Sequence, residues 1–136
     1  MSYAASAALQ TAVFEALQAD AALAGLIGTA LYDAVPEGTL PPLYALLGDE
    51  EVRDASDGSG GGAAHRFTVS VVTTQPGFQA AKAAAGRICA LLQDMVPVLP
   101  AGRVVSLRFE RARARRIDKL SGRRIDLRFR ARIENG

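Results

Sequence analysis

The residues with the greatest chemical potential in this chain are few, and their spacing is wrong for catalysis. Gly58, Gly60 and Ala63 have the letters of a dinucleotide fingerprint. That motif works only where the glycines join a strand to the helix N-terminus that holds a pyrophosphate. Here Asp57-Gly58-Ser59-Gly60-Gly61-Gly62 precedes a strand pattern, so the run reads as a linker. His65 is the only histidine, which excludes a two-histidine metal site and leaves no evident triad. Its expected role is a hydrogen bond at a strand end. Cys89, the only cysteine, stands beside Ile88 in an alanine-rich stretch and reads as a small core residue. There is no Walker A sequence, nucleophile elbow or paired-cysteine site. No residue is assigned a catalytic, cofactor-binding or metal-binding role, and an enzyme is disfavoured. The one catalytic alternative is a site formed between subunits from His65 and the neighbouring acidic segment.

The charged residues are more informative. Asp49, Glu50, Glu51, Asp54 and Asp57 form an acidic segment, with Arg53 inside it, that lacks the spacing of a calcium loop and reads as solvated. Arg108, Arg128, Arg130 and Arg132 share the polar phase of two C-terminal strands, and Arg111, Arg113, Arg115 and Arg116 could extend that strip. Such a strip attracts phosphates with strong salt dependence and no sequence preference. Phe109 and Phe129, however, have the phase of core residues, so the stacking aromatics of a single-strand binder are missing. A solvated face, or one paired with acids of a neighbour, is the expected use.

The charges are also sorted along the chain. Met1 to Ala64 holds nine acidic residues and one basic, while His65 to Gly136 holds fifteen Lys or Arg and five acidic. A small domain with opposite halves can steer toward copies of itself or turn one sign toward a polyanion. The two ideas raised are self-assembly and, as the alternative, a nucleic-acid-binding module that uses the arginine-rich hairpin.

These residues must be positioned by an α+β fold. Tyr3 to Ala24 has Leu9, Val13, Leu17 and Ala21 at four-residue steps and predicts one amphipathic helix, stopped near Gly25 or Gly28. Leu31 to Val35 is a short extended segment, and Leu43 to Leu47 predicts one buried strand. Residues 49–64 then read as a flexible acidic and glycine-rich loop. His65 to Thr73 alternates, with Phe67, Val69 and Val71 on one face and Arg66, Thr68 and Ser70 on the other. Phe78 to Val96 predicts the second main helix, buried through Ala81, Ala84, Ala85, Ile88, Leu91, Leu92 and Met95. A long β-hairpin follows, Val104 to Ile117 and Arg123 to Glu134, turning at Lys119-Leu120-Ser121-Gly122. In its first arm Val105, Leu107 and Phe109 share a phase that Arg111, Arg113 and Arg115 then take over, which predicts a bulge near Glu110.

The whole reads as one domain over residues 1–136 with a mixed or antiparallel sheet and two main helices packed on it. Of its hydrophobic residues 26 are alanine, so bulky core formers are scarce and partner surfaces are expected to complete the core. No run approaches the roughly 18 apolar residues of a membrane span and no basic region precedes an apolar one at the N-terminus, so a soluble protein without membrane partners or an export signal is expected.

In order along the chain, Leu31-Tyr32-Asp33-Ala34-Val35-Pro36-Glu37-Gly38, Pro42-Leu43-Tyr44-Ala45-Leu46-Leu47-Gly48, Ala64-His65-Arg66-Phe67-Thr68-Val69, Leu107-Arg108-Phe109-Glu110 and Leu127-Arg128-Phe129-Arg130-Ala131 resemble the tail completion, or tail terminator, proteins of long-tailed phages and phage-derived gene transfer agents. The resemblance spans nearly the whole chain. It implies a ring-forming subunit, a homohexamer that ends the tail tube and joins it to the head–tail connector or stopper. It also implies a structural role in a virion or phage-like particle assembled in the host cytoplasm, with DNA passing through the channel without specific binding. In that setting Asp49, Glu50, Glu51, Arg53, Asp54, Asp57, Arg108, Arg128, Arg130 and Arg132 are expected at subunit or tube interfaces, and Arg111, Arg113, Arg115 and Arg116 could face the DNA channel.

Overall fold

The computed structural model describes residues 3–56, 58, 60–117 and 122–135. Leu9, Val13 and Leu17 form the buried stripe of α1 (Ser6–Gln18), as their spacing predicts. The helix does not continue to Ala24. Asp20 takes an extended backbone and its carboxylate accepts from the Leu23 N–H at 2.8 Å, capping a separate short helix, α2 (Ala21–Ile27). An aspartate satisfies an orphan N–H better at an N-cap than inside a helix, and periodicity alone does not see that break. The same carboxylate receives Arg87 from α3 (Gln79–Leu92) through two bonds of 2.7 and 2.9 Å. The guanidinium first, and the Leu23 N–H second, pull the Asp20 carboxyl down to about 2. Among the described residues there are thus three helices, where two main ones are expected from the sequence.

The strands are β1 (Leu31–Tyr32), β2 (Leu43–Asp54), β3 (Gly62–Thr73), β4 (Arg103–Arg116) and β5 (Arg123–Glu134), in the spatial order β1-β2-β3-β5-β4. β1 is parallel to β2, and every other neighbour is antiparallel. The expected loop over 49–64 is corrected here. Residues 49–54 continue β2 past a register shift between Leu47 and Glu50, and 62–64 begin β3, leaving only a short connection. Asp49, Glu50, Glu51 and Asp54 look like a loop by composition, yet a strand beside a paired neighbour needs only one face buried. Asp57 lies outside the described residues, as do Lys119, Leu120 and Ser121 of the expected turn.

All three helices lie on one face of the sheet. Ala81 and Ala84 of α3 are fully buried, and Ile88 and Leu92 pack with Val69, Val71, Leu107, Leu127 and Phe129. Short alanine side chains bring this helix close to the sheet. The second face is uncovered by any helix. β4 carries two register shifts, between Val104 and Ser106 and between Phe109 and Arg111. The second is the expected bulge at Glu110. The first was not legible: it puts Val104 in the core at 3% exposure and turns Val105 outward at 42%.

Candidate functional site

The uncovered face gathers most of the charged residues singled out from the sequence. From register, Arg128 and Arg130 of β5 stand at its centre, opposite Thr68 and Arg66 of β3 on one side and Arg111 and Arg108 of β4 on the other. Arg132 lies next along β5, between Ala64 and Ser106. The Glu110 bulge rotates the rest of β4, so that Arg111, Arg113 and Arg115 join the same face while Ala112 and Ala114 turn to the helix side opposite Leu127 and Ile125. Arg116 does not extend the strip. It pairs with Arg123, whose guanidinium lies 5.4 Å from the Phe78 ring centroid on the helix side.

Two acids to which the sequence reading gave no role, Glu110 and Asp126, organise this face. Glu110 receives Arg66 at 3.1 Å and Arg128 at 3.7 Å. Asp126 receives Arg124 at 2.7 Å, Arg115 at 3.4 Å and the Ser70 hydroxyl at 2.6 Å. Burial raises the Asp126 carboxyl, but Ser70, Arg124 and Arg115 together outweigh that and hold it below the ordinary range. Both acids stood among arginines in the sequence, which was the available signal. Arg108, Arg111, Arg113 and Arg130 have no ion pair or hydrogen bond from their side chains among the described residues. The face keeps a positive surplus around a shallow hollow of about 350 Å³ that reaches Asp49 and Glu51 at the far edge.

The acidic residues do not act as one group. Glu51 pairs with Arg53 at 2.6 Å, and Asp54 accepts from Ser56 at 2.7 Å. Glu50 turns to the helix side, where it accepts hydrogen bonds from Ser6 at 2.6 and 2.8 Å and from Tyr3, tying the start of α1 to β2. Among the described residues no three His, Cys, Asp or Glu side chains gather as a metal site would require.

The geometry of a helix-covered sheet with one charged, uncovered face comes with a family. The model for tail completion protein gp17 matches residues 11–134. The chain belongs to that family. A tail completion protein is a structural component of a phage-type tail, which places it in a virion or phage-like particle. Among solved structures it is similar to a chain from the virion of a native gene transfer agent particle, with a TM-score of 0.92 and 55% identity over 98% of this chain and 99% of that one. No curated protein matches it. No described helix is long and apolar enough to cross a membrane.

Two further titratable groups of this tail completion protein are shaped by burial. Burial raises the pKa of the half-buried Cys89 thiol, which favours its protonated form. His65 is fully buried, and neither ring nitrogen has a hydrogen-bond partner among the described residues, so the expected strand-end hydrogen bond is not made. Burial lowers its pKa, partly offset by the charge of Glu50. The folded state therefore holds His65 neutral. That contribution to stability is complete above the ordinary pKa of about 6.5 and is lost as pH falls toward the lower folded value. His65→Leu removes the titration along with two unpaired nitrogens. Between pH 7.5 and 5.5 the wild-type melting temperature should fall by about 3 °C more than that of His65→Leu. Parallel pH curves in calorimetry would show that His65 does not titrate on unfolding.

Proposed function

We propose that this protein terminates the tail tube and joins it to the head-side connector or stopper as a ring of six copies, with its function arising from geometry and not from catalysis. The observation that carries this reading is the uncovered, positively charged sheet face in a chain that matches a tail completion family over nearly its whole length. A solvated face is ordinary for an antiparallel sheet, but this one gathers arginines beyond the acids that face them, a surface of use to a ring subunit that must meet neighbours above, below and beside it. In this reading Asp49, Glu51 and Asp54 meet basic residues of an adjacent subunit or of the tube, and Arg108, Arg128, Arg130 and Arg132 meet acids of the partner. Arg111, Arg113 and Arg115 lie at a subunit edge or toward the channel. DNA passes without being held, because a gripping lumen would oppose ejection. The relative from a gene transfer agent virion supports a particle of phage type for this chain too.

The four uncompensated arginines also favour a second reading, a nucleic-acid-binding module. One experiment separates them. Light scattering of the purified protein, across a salt series and with and without its tail-tube protein, should give either six copies of the 14.3 kDa chain or a monomer that forms rings on the tube. Affinity for DNA at physiological salt should stay in the non-specific range, with Kd of about 10⁻⁵ M. A stable monomer that ignores the tube and binds DNA with nanomolar Kd would put the second reading first.

A further inference from the structure

Two stretches of sheet edge have no backbone partner among the described residues, and they carry opposite charge. The lower half of β4 is closed: the Asp94 N–H donates to the Leu107 carbonyl at 2.9 Å, and the Phe109 N–H donates to Gln93 Oε1 at 2.9 Å. Past the Glu110 bulge, Arg111–Arg116 has β5 on one side and nothing on the other. β2 is closed only where Leu31 and Tyr32 pair with Ala45 and Leu46, so its outer edge is open over 48–53. Open edges invite strand addition, and proteins ordinarily blunt or cover them. Arg111–Arg116 contains four arginines and two alanines; residues 48–53 contain Asp49, Glu50 and Glu51 against a single base, Arg53. Ala112 and Ala114 stand exposed over an apolar hollow of about 270 Å³ between α3 and β4, floored by Cys89, Phe109 and Leu127.

We infer that residues 48–53 of one copy add as an antiparallel strand to Arg111–Arg116 of the next, and that this contact links neighbours in the ring. The inference rests on the ring proposed above and names its contact. Charge selects the pairing. β4 against β4 would set arginines against arginines, and β2 against β2 would set acids against acids. Only the unlike edges are complementary, and a contact between two different surfaces is the kind that closes rings. Direction agrees as well. β2, β3, β5 and β4 are successive antiparallel neighbours, so β2 and β4 run opposite ways. Copies related by rotation about an axis along the sheet therefore bring them together antiparallel.

Closure can be checked from register. Glu51 is level with Arg66, Arg130 and Arg108, whereas Arg113 is level with Asp126 and Ser70. The two open edges are thus offset by about four residues, or about 14 Å, across four long strands that span about 19 Å. Joining them copy after copy tilts the strands by about 36° from the ring axis, within the range of about 35–45° that closed sheets adopt.

The test uses two full-length double variants, Arg111→Glu with Arg113→Glu, and Asp49→Arg with Glu51→Arg. All four positions are exposed, so melting temperatures should stay within about 3 °C of wild type. Each variant alone should lose ring formation, on the tube or in solution, by at least about 100-fold in the concentration required. An equal mixture should recover rings, because each edge then meets its opposite charge. In wild-type rings, amide exchange over 48–53 and 111–116 should slow at least about tenfold relative to the monomer. Rings from either variant alone, or folded variants that fail to assemble when mixed, would overturn the strand contact while wild-type rings leave the proposed function standing. Failure of the wild type to form any ring would remove the function and this contact together.

Discussion

Phe129→Ala will cost about 3–5 kcal/mol of folding stability, a large share of the 5–15 kcal/mol that a domain of this size holds. Phe129 is fully buried and is the largest such side chain in the protein. It sits on β5, inside the sheet between β3 and β4, where its ring stacks on Phe67 at 5.6 Å and meets the edge of Phe109 at 6.0 Å. The cost falls at the upper end because the surroundings cannot collapse into the space. Its ring is held between Phe67 and Phe109 in the cluster that also contains Ile88 and Leu92 of α3, and so close-packed an interior relaxes only partly into a new cavity. Phe109→Ala is the internal control. That ring is 41% exposed at the β4 edge, and its loss should cost no more than about 1.5 kcal/mol. Urea titration at constant m value reads both. A loss below about 1 kcal/mol at Phe129 would mean that the helix layer moves to close the gap.

The same contrast explains what was legible in the sequence. Period-2 alternation placed Phe67, Val69, Val71 and Phe129 on the buried side, because the helix-covered face of the sheet is the one that takes apolar groups. The phase switch across Glu110 predicted the bulge that moves Arg111, Arg113 and Arg115 onto the charged face. The ordered set of short segments pointed to the tail completion family that the whole chain then matched. What failed to show were features decided by tertiary partners. Asp20 breaks a periodic helix because Arg87, 67 residues away, and the Leu23 N–H both use its carboxylate. Residues 49–54 are strand because β3 offers them a ladder, although their composition says loop. Glu50 faces the helix side because a one-residue register shift puts it where Ser6 and Tyr3 wait. His65 alternates correctly into the core, yet nothing in the sequence reveals that its nitrogens go unpaired there.

Reversing charge at Arg128 and Arg130 together will abolish tail joining and leave the fold and the ring in place. Both residues stand on β5 at the centre of the uncovered face, one strand in from the β4 edge, so they supply no backbone group to either open edge. Arg130 has no acid partner among the described residues, and Arg128 shares Glu110 with Arg66 at a longer distance. Neither pair is buried enough to hold the sheet together, so the variant should melt within a few degrees of wild type. Its effect is on the field. Two arginines replaced by glutamates change the face by four charges, and Glu110 then lies beside a new carboxylate in place of a cation. A complementary acidic surface on the tube or connector would meet repulsion, with a penalty of several kcal/mol and at least a 100-fold loss in joining. Negative-stain microscopy of tails assembled with the variant should show bare tube ends beside free rings. Normal capped tails would mean that the arginine face is only solvated. Loss of the rings themselves would place the subunit contact on this face and not at the β2 and β4 edges, because the Arg128 and Arg130 side chains cannot act on both surfaces at once.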